Sequence, residues 1–522
     1  MSEYKNLPGV NINIKDGEML LTQDNTVNSM LIIGEVKAPY HIEVEEDVVF
    51  VQSEDVLFEK FGRYFYQGEV NPIAAEWHIA RSAGIQNIFL LGLNKGTLKD
   101  DFIKLQDLLE NVIADYQFSH VLVTNMYADE EIRGLTAEDF GVSDLGEVIG
   151  VDSYHLTKGT TELEDLDNRE GAPITLDVVY NGIDFSVTIK NQYYTPKELV
   201  RHLSAELKSA AMNVGFDKLD IEVVIEDKKA IIRSNEEIEV KGQALSALGI
   251  DAEDLNLEFE GVGNAANLLG KYAERQTIES EAMIVYIGTK PPATTRKSDI
   301  REMVDRLVER KNEHSKNVQV VAGPEVAVSL PNSNRTYWSS GVSQYATLVD
   351  SLAVQHAPTN QPLPGASALR YDLSLRQLDS LVGNRYVTFR RKNNRIVVVD
   401  GVTTAPDYFS DGDRGFVRSD FSRLSTLRST NYMVGAIREA VEPFIGRPNE
   451  FPVYNAMNTA IKAAINRAVE LGIIQDAIYS IELGDSMDAS TVNLTILPQF
   501  ELRQIDVSIG LSTPSGFEAL SN

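Results

Sequence analysis

Three stretches near the start of the chain decide its fold: Ser29–Val36, "SMLIIGEV"; Asn71–Gly84, "NPIAAEWHIARSAG"; and Ile85–Leu93, "IQNIFLLGL". The first and third are short apolar runs that punctuate with glycine, the pattern of strands buried on both faces. Between them Ile73, Ala74, Trp77, Ile79 and Ala80 recur at helical spacing, and Gly84 follows as a C-cap. Strand, helix, strand predicts a βαβ unit and so a parallel pair. "KDDFIKLQDLLENVIADY" (99–116) adds a helix and "FSHVLVTN" (118–125) a third strand, so the first 125 residues read as α/β.

Acidic runs then take over in "YADEEI", "ELEDLD" and "DAEDLNLEFEG" between 127 and 261. Inside lies "ITLDVVYNGIDFSVTI" (174–189), where Asn181-Gly182 between alternating runs signals a hairpin. Thr195, Pro196 and Glu198 open a helix as N-cap, first position and capping box. "IEVVIED" and "KAIIRSN" follow as strands around a turn at Asp227–Lys228. Hairpin, helix, hairpin is a self-contained α+β module, read as an insertion over 127–265. The α/β pattern resumes with strands "EAMIVYIG" and "NVQVVAG", separated by the helix "SDIREMVDRLVERKNEHS". A hairpin turns at Asn393-Asn394. Two long helices follow, the second with the stripe Val453, Met457, Ile461, Ala464, Ala468 and Leu471.

Both extremes of the chain read as strands. Val10, Ile12 and Ile14 alternate with polar residues, as do Ile505, Val507 and Ile509. Period two marks half-buried strands, and an end strand must fold back on its own sheet or pair with another molecule. Just before the C-terminal one, "DAIYSIEL" (476–483) and "TVNLTILP" (491–498) form a candidate hairpin carrying Ile478, Ile481, Val492, Leu494 and Ile496. The expected organisation is thus a multidomain α/β and α+β chain. Its discontinuous α/β core (23–126 and 266–500) is interrupted by the α+β insertion and flanked by strand-forming arms at 1–22 and 501–522.

Composition narrows the function. The 522 residues include 48 Lys+Arg against 77 Asp+Glu, a formal net charge of −29, which opposes a nucleic-acid partner. There are no cysteines, so disulfides and thiolate metal sites are excluded. No apolar stretch approaches the roughly 20 residues of a membrane span and no signal peptide is seen, so a cytoplasmic chain with no membrane partner is expected. The seven histidines (His41, His78, His120, His155, His202, His314 and His356) show no paired metal spacing. "YFSDGDRG" with Asp407, Asp411 and Asp413 lacks the ligand rhythm of a calcium loop and reads as a solvated turn. "GVGNAA" (261–266) matches G-x-G-x-x-A but follows an acidic run and leaves the insertion rather than opening a βαβ unit. It reads as a linker turn, with an α/β nucleotide-binding enzyme as the alternative. No catalytic residue, cofactor or metal is assigned. Charge is segregated: 370–470 holds 15 basic against 11 acidic residues, leaving 33 against 66 elsewhere. Arg414, Arg418, Arg423 and Arg428 lie there and are candidates for a broad positive face toward an acidic partner.

Four stretches carry a resemblance to the contractile tail sheath proteins of bacteriophages and related injection systems: "LPGVNINI"; "RIVVVDGVTTA"; "RLSTLRSTNYMVGAIREAVEPFIGRPNE"; and "LGIIQD" with "TVNLTILPQFELRQIDVSIGL". Together with the α/β pattern it covers 1–125 and about 270–511. "GVTTAP" stands where that family commonly has Gly-x-Arg-Thr. The resemblance implies a non-enzymatic subunit polymerising as hexameric rings around an inner tube, with baseplate and tail terminator proteins as further partners and the insertion facing outward. It implies that the terminal arms are donated to neighbouring subunits, with the 477–498 hairpin as acceptor and the four arginines facing the tube. It also implies a virion tail assembled in the host cytoplasm.

Overall fold

The computed structural model describes residues 29–37, 48–93, 96–111, 113, 116–142, 145–158, 161–169, 173–180, 183–214, 221–226, 228–234, 238–250, 257–279, 282–310, 312–331, 336–406, 408–411, 415–448, 450–483 and 490–501. The expected arms, 1–22 and 501–522, lie outside these residues apart from Glu501.

The apolar runs become the strands of one sheet: β1 (Ser29–Glu35), β2 (Val49–Phe50), then, after helix α1 (Pro72–Ser82), β3 (Asn87–Leu93), and, after α2 (Leu98–Asn111), β4 (His120–Tyr127). Two later strands join them, bringing the sheet to six, with β1 in its interior between β3 and β4. β1 pairs parallel with both of these neighbours. β2 adds an antiparallel edge, Val49 opposite Leu90; at two residues it is too short to show a period.

Burial on both faces explains why these strands read as apolar runs. Leu31, Ile33, Leu91, Leu93, Val121 and Val123 enter one core, beneath α2. Met30, Ile32, Ile88, Leu90 and Leu122 enter the other, beneath α1. Successive residues therefore serve opposite layers, which gives a helix–sheet–helix sandwich.

The chain leaves this sheet after Tyr127 and enters the insertion: β5 (Ile132–Leu135), β6 (Val151–Lys158), β7 (Ile174–Tyr180), β8 (Ile183–Ile189), α3 (Pro196–Asn213), β9 (Ile221–Glu226), β10 (Lys229–Ser234), β11 (Ile238–Lys241) and β12 (Leu257–Gly263). β7 and β8 pair with Tyr180 opposite Ile183, as the Asn181-Gly182 signal predicts, though those two residues lie outside the described set. At the start of α3 the Glu198 carboxylate accepts from the Thr195 N–H at 3.0 Å and from the Thr195 hydroxyl at 2.7 Å, the glutamate half of the expected capping box. α3 packs Leu199, Leu203 and Leu207 against Leu176, Val178, Val223 and Ile232 in a core of the insertion's own.

The segment expected as an insertion, 127–265, packs into the main body at its two ends. Ile132, Leu135, Leu145, Val148 and Val151 belong to the core beneath α2, so both ends of the insertion are built into the main body. A five-stranded sheet, β9-β10-β6-β12-β5, bridges the two cores.

After β12 come α4 (Ala265–Glu279), β13 (Ile284–Gly288), α5 (Lys297–Glu309) and β14 (Val318–Val321), completing the sheet order β14-β13-β4-β1-β3-β2. α6 (Val342–Ser351) covers the α1 face. The hairpin at Asn393-Asn394 forms as expected; both asparagines have positive φ, 49° and 59°. Last come α7 (Leu424–Val441), α8 (Phe451–Glu470), β15 (Ile474–Leu483) and β16 (Ser490–Pro498).

Candidate assembly interface

β15 and β16 pair antiparallel over nine residue pairs, with Ala477 opposite Ile496 and Ile481 opposite Val492. Period two gives the hairpin two unlike faces. Leu494 and Ile496 are buried with Ile461 and Ile465 of α8 and Met433 of α7; Val492, Ile481 and Tyr479 pack at the margin of that cluster. The Tyr454 hydroxyl donates to the Ile481 carbonyl at 3.1 Å, and the Tyr479 hydroxyl contacts Asn458. Two helices thus form a pedestal for one hairpin.

Among the described residues the sheet contains these two strands alone. A ten-residue and a nine-residue strand therefore each present an outer edge with no strand partner in that set. Long edges are templates for a further strand, and natural proteins usually shorten, charge or cover them.

Of the expected acceptor residues, Leu494 and Ile496 are buried, and Val492 and Ile481 are half-buried on the same inner face. Ile478 is different: it lies opposite Thr495 on the outward face and is 77% exposed. Three positions separate it from Ile481, an odd number, so a strand places the two on opposite faces. Tyr432, Val441, Ala468, Ile473 and Ile474 are also buried in the cluster; the α8 stripe read from sequence omits Ile465 and includes Leu471, which is 47% exposed. Val10, Ile12, Ile14, Ile505, Val507 and Ile509 fall outside the described residues.

Of the four arginines expected to face a tube, Arg423 and Arg428 are engaged within the subunit. Arg428 turns inward and donates to three carbonyls at the end of α6: Leu352 at 2.7 Å, Ala353 at 3.2 Å and His356 at 3.3 Å. Burial lowers its pKa. Arg423 donates to the buried Asp400 carboxylate at 2.6 Å. Arg414 lies outside the described residues, and of Arg418 only the backbone is described. Elsewhere in the basic stretch, Arg370 pairs with Glu325 at 2.6 Å. Charge counting along the chain cannot see that acids distant in sequence, such as Glu325, are brought to these bases.

The nucleotide alternative fails on packing. "GVGNAA" is the end of β12 running into α4, rather than a linker turn or a loop around a ligand. A Cβ on Gly263 would meet the Phe102 ring at 2.6 Å, and one on Gly261 the Leu135 carbonyl at 2.6 Å. These glycines admit neighbouring protein, leaving no approach for a pyrophosphate. Asn264 itself occupies the start of α4: its Oδ1 accepts from the Ala266 N–H at 2.9 Å, and its Nδ2 donates to the Ala128 and Glu130 carbonyls at 2.9 and 3.0 Å. In doubly wound sheets a ligand binds beyond the carboxyl ends of the strands. There burial raises the pKa of Tyr127, and the carboxylates of Glu130, Glu325, Asp129 and Glu35 add to the shift; Glu130 pairs with Lys290 and Asp129 with Arg306. No cluster of potential metal ligands occurs among the described residues, and no helix among them is long and apolar enough to cross a membrane.

No family model matches the sequence, and no curated protein matches it. Among solved structures the chain is similar to a chain of the anti-feeding prophage baseplate, at 12% identity and a TM-score of 0.49, covering 98% of this chain and 100% of that one. It is similar to the helical sheath of the same particle in its contracted state, at 12% identity and 0.46, covering 98% and 99%. The sheath tail protein of Listeria innocua aligns at 12% identity and 0.39, covering 92% and 94%. These likenesses are too distant to carry a role across to this chain.

Proposed function

We propose that this chain is a structural protein: the subunit of a contractile tail sheath, joined to its neighbours by donated strands. The observation that carries the reading is the β15–β16 hairpin, mounted on its own helical pedestal with two long edges lacking strand partners among the described residues. The sequence supplies matching donors, since 8–15 and 503–511 alternate with period two. An arm from each of two neighbours would complete a four-stranded sheet. Each added backbone hydrogen bond contributes about 0.5–1.5 kcal/mol net, so a strand making several of them holds subunits together through large rearrangements.

The mechanism needs no catalysis. Rigid α/β bodies stacked in hexameric rings around an inner tube would slide and rotate between an extended and a contracted packing while the arms keep them connected. The energy of contraction is the difference between those packings. In this reading the sheath contacts baseplate and terminator proteins at its ends, acts in a virion tail and is assembled in the host cytoplasm. The insertion, joined to the body by both ends, would face outward.

The test is negative-stain microscopy and sedimentation of the full chain and of chains lacking residues 1–16 or those after Pro498. The full chain is expected to form long hollow tubes, and both truncations to stay folded but unassembled. Truncated chains that make tubes of normal length would refute strand donation.

A further inference from the structure

Arg423, whose side chain turns inward, reaches a second carboxylate. Its Nη1 donates to Asp400 Oδ2 at 2.6 Å, and its Nε lies 3.8 Å from Glu501 Oε1. All three side chains are mostly out of water: 5% exposed for Asp400, 13% for Glu501 and 23% for Arg423. Asp400 is itself fixed, its Oδ1 accepting from the Thr359 hydroxyl and the Gly401 N–H, each at 3.0 Å. The guanidinium is therefore held on one side by the body of the protein and presents its other side to Glu501.

Glu501 lies three residues beyond the end of β16, where the chain leaves the hairpin. Most segments that leave an edge strand carry their carboxylates into solvent, because drawing one out of water is costly unless a cation meets it. Here the carboxylate is drawn in against Arg423, the N-cap residue just before α7. A second contact secures the same exit, Gln475 Nε2 donating to the Pro498 carbonyl at 3.3 Å.

We infer that Asp400–Arg423–Glu501 is an anchor that fixes where the C-terminal segment departs from the subunit, and that Arg423 and Glu501 are positioning residues for strand donation. Fixing the root of a donated strand restricts the volume its tip explores, which raises its effective concentration at a neighbouring edge. What the segment does after leaving rests on the assembly reading above; the anchoring does not.

The experiment compares full-length wild type with Glu501→Gln, Arg423→Gln and Arg423→Lys. Limited trypsin digestion, followed by mass spectrometry, reads the rate of cleavage after Arg503, and negative stain reads tube yield. Cleavage of a transiently released segment tracks its open population. Losing the Arg423–Glu501 pair, which both Glu501→Gln and Arg423→Gln remove, is expected to raise that rate about fivefold, with the melting temperature of Glu501→Gln unchanged and tube yield reduced. Arg423→Lys, which keeps the cation, is expected to recover most of both. An unchanged cleavage rate in Glu501→Gln would overturn the anchor. Faster cleavage with undiminished tube yield would overturn its positioning role. If wild type forms no tubes, the assembly reading falls, while the cleavage rates still decide whether the anchor exists.

Discussion

Ile478 stands directly opposite Thr495 on the outward face of the β15–β16 hairpin, while the neighbouring pair Tyr479–Leu494 points into the helices beneath. The two faces should answer mutation differently in the unassembled subunit. Ile478→Thr is expected to change stability by less than about 0.5 kcal/mol. Leu494→Ala should cost about 2–4 kcal/mol, because it opens a cavity between the hairpin and α8. Urea unfolding of monomeric protein measures both, and equal costs would show that the faces are not so divided.

Arg428 offers a sharper contrast with its sequence reading. A surface arginine facing a partner contributes about 0–1 kcal/mol per exposed ion pair. Arg428 instead satisfies three carbonyls where α6 ends. Arg428→Ala should therefore destabilise the subunit by about 2–3 kcal/mol, the range for lost hydrogen bonds to a charged donor. Arg428→Lys should restore only part, since an ammonium cannot reproduce the planar fork. An Arg428→Ala chain with wild-type stability would return this residue to the surface role.

Gly263→Ala tests whether "GVGNAA" serves packing. The added methyl would sit 2.6 Å from the Phe102 ring, and overpacking of this kind costs about 1–3 kcal/mol. Thermal melts of wild type with millimolar NAD or ATP should show no shift. A nucleotide-dependent rise would indicate binding to the folded state and revive the enzyme alternative.

What was legible followed from local signals. The apolar runs around Ile32, Leu90 and Leu122, the Asn393-Asn394 turn and the Thr195–Glu198 contact at the start of α3 each depend on neighbours a few residues away, and each formed as read. What was not legible depends on distant partners. Arg423 finds Asp400 and Arg428 finds the end of α6, contacts that no charge count reveals. Val49–Phe50 is a strand only because β3 offers an edge. The insertion looked separable because its hairpins and helix are self-sufficient in pattern, yet Ile132 and Val151 pack into the main body. The inward face of α8 was mostly visible, but an ideal stripe does not show that Ile465 is buried and Leu471 is exposed.

How far the insertion is separable can be tested directly. Thr157 on β6 and Leu257 on β12 lie opposite each other in adjacent strands. Replacing 159–256 with a short Asn-Gly turn should therefore close a hairpin and leave a folded body. Removing 127–265 outright strips Ile132, Leu135, Val148 and Val151 from the core and should give an insoluble or markedly less stable chain. Similar melting temperatures for the two deletions would contradict this division.

Glu76 predicts a pH dependence. It is buried, its Oε1 accepting from the Tyr337 hydroxyl at 2.8 Å and the Ser339 hydroxyl at 3.0 Å, and burial raises its pKa above 4.5. Below pH 4.5 the carboxyl is protonated in both folded and unfolded chains and contributes no difference. Above it the unfolded chain ionises first, so stability falls as pH rises toward the folded value, by up to about 1.4 kcal/mol per pH unit. Glu76→Gln removes this term, so its stability relative to wild type should grow as pH rises above 4.5. Parallel curves in chemical denaturation would contradict the assignment.

The most direct measurement of the central claim is a helical reconstruction of the assembled polymer at a resolution that traces the backbone. The account predicts that β15 and β16 lie in a sheet with strands from two neighbouring chains, one formed by residues near Ile12 and the other by residues near Val507. A polymer in which this hairpin remains two-stranded, or in which both terminal segments fold back onto their own subunit, would contradict it.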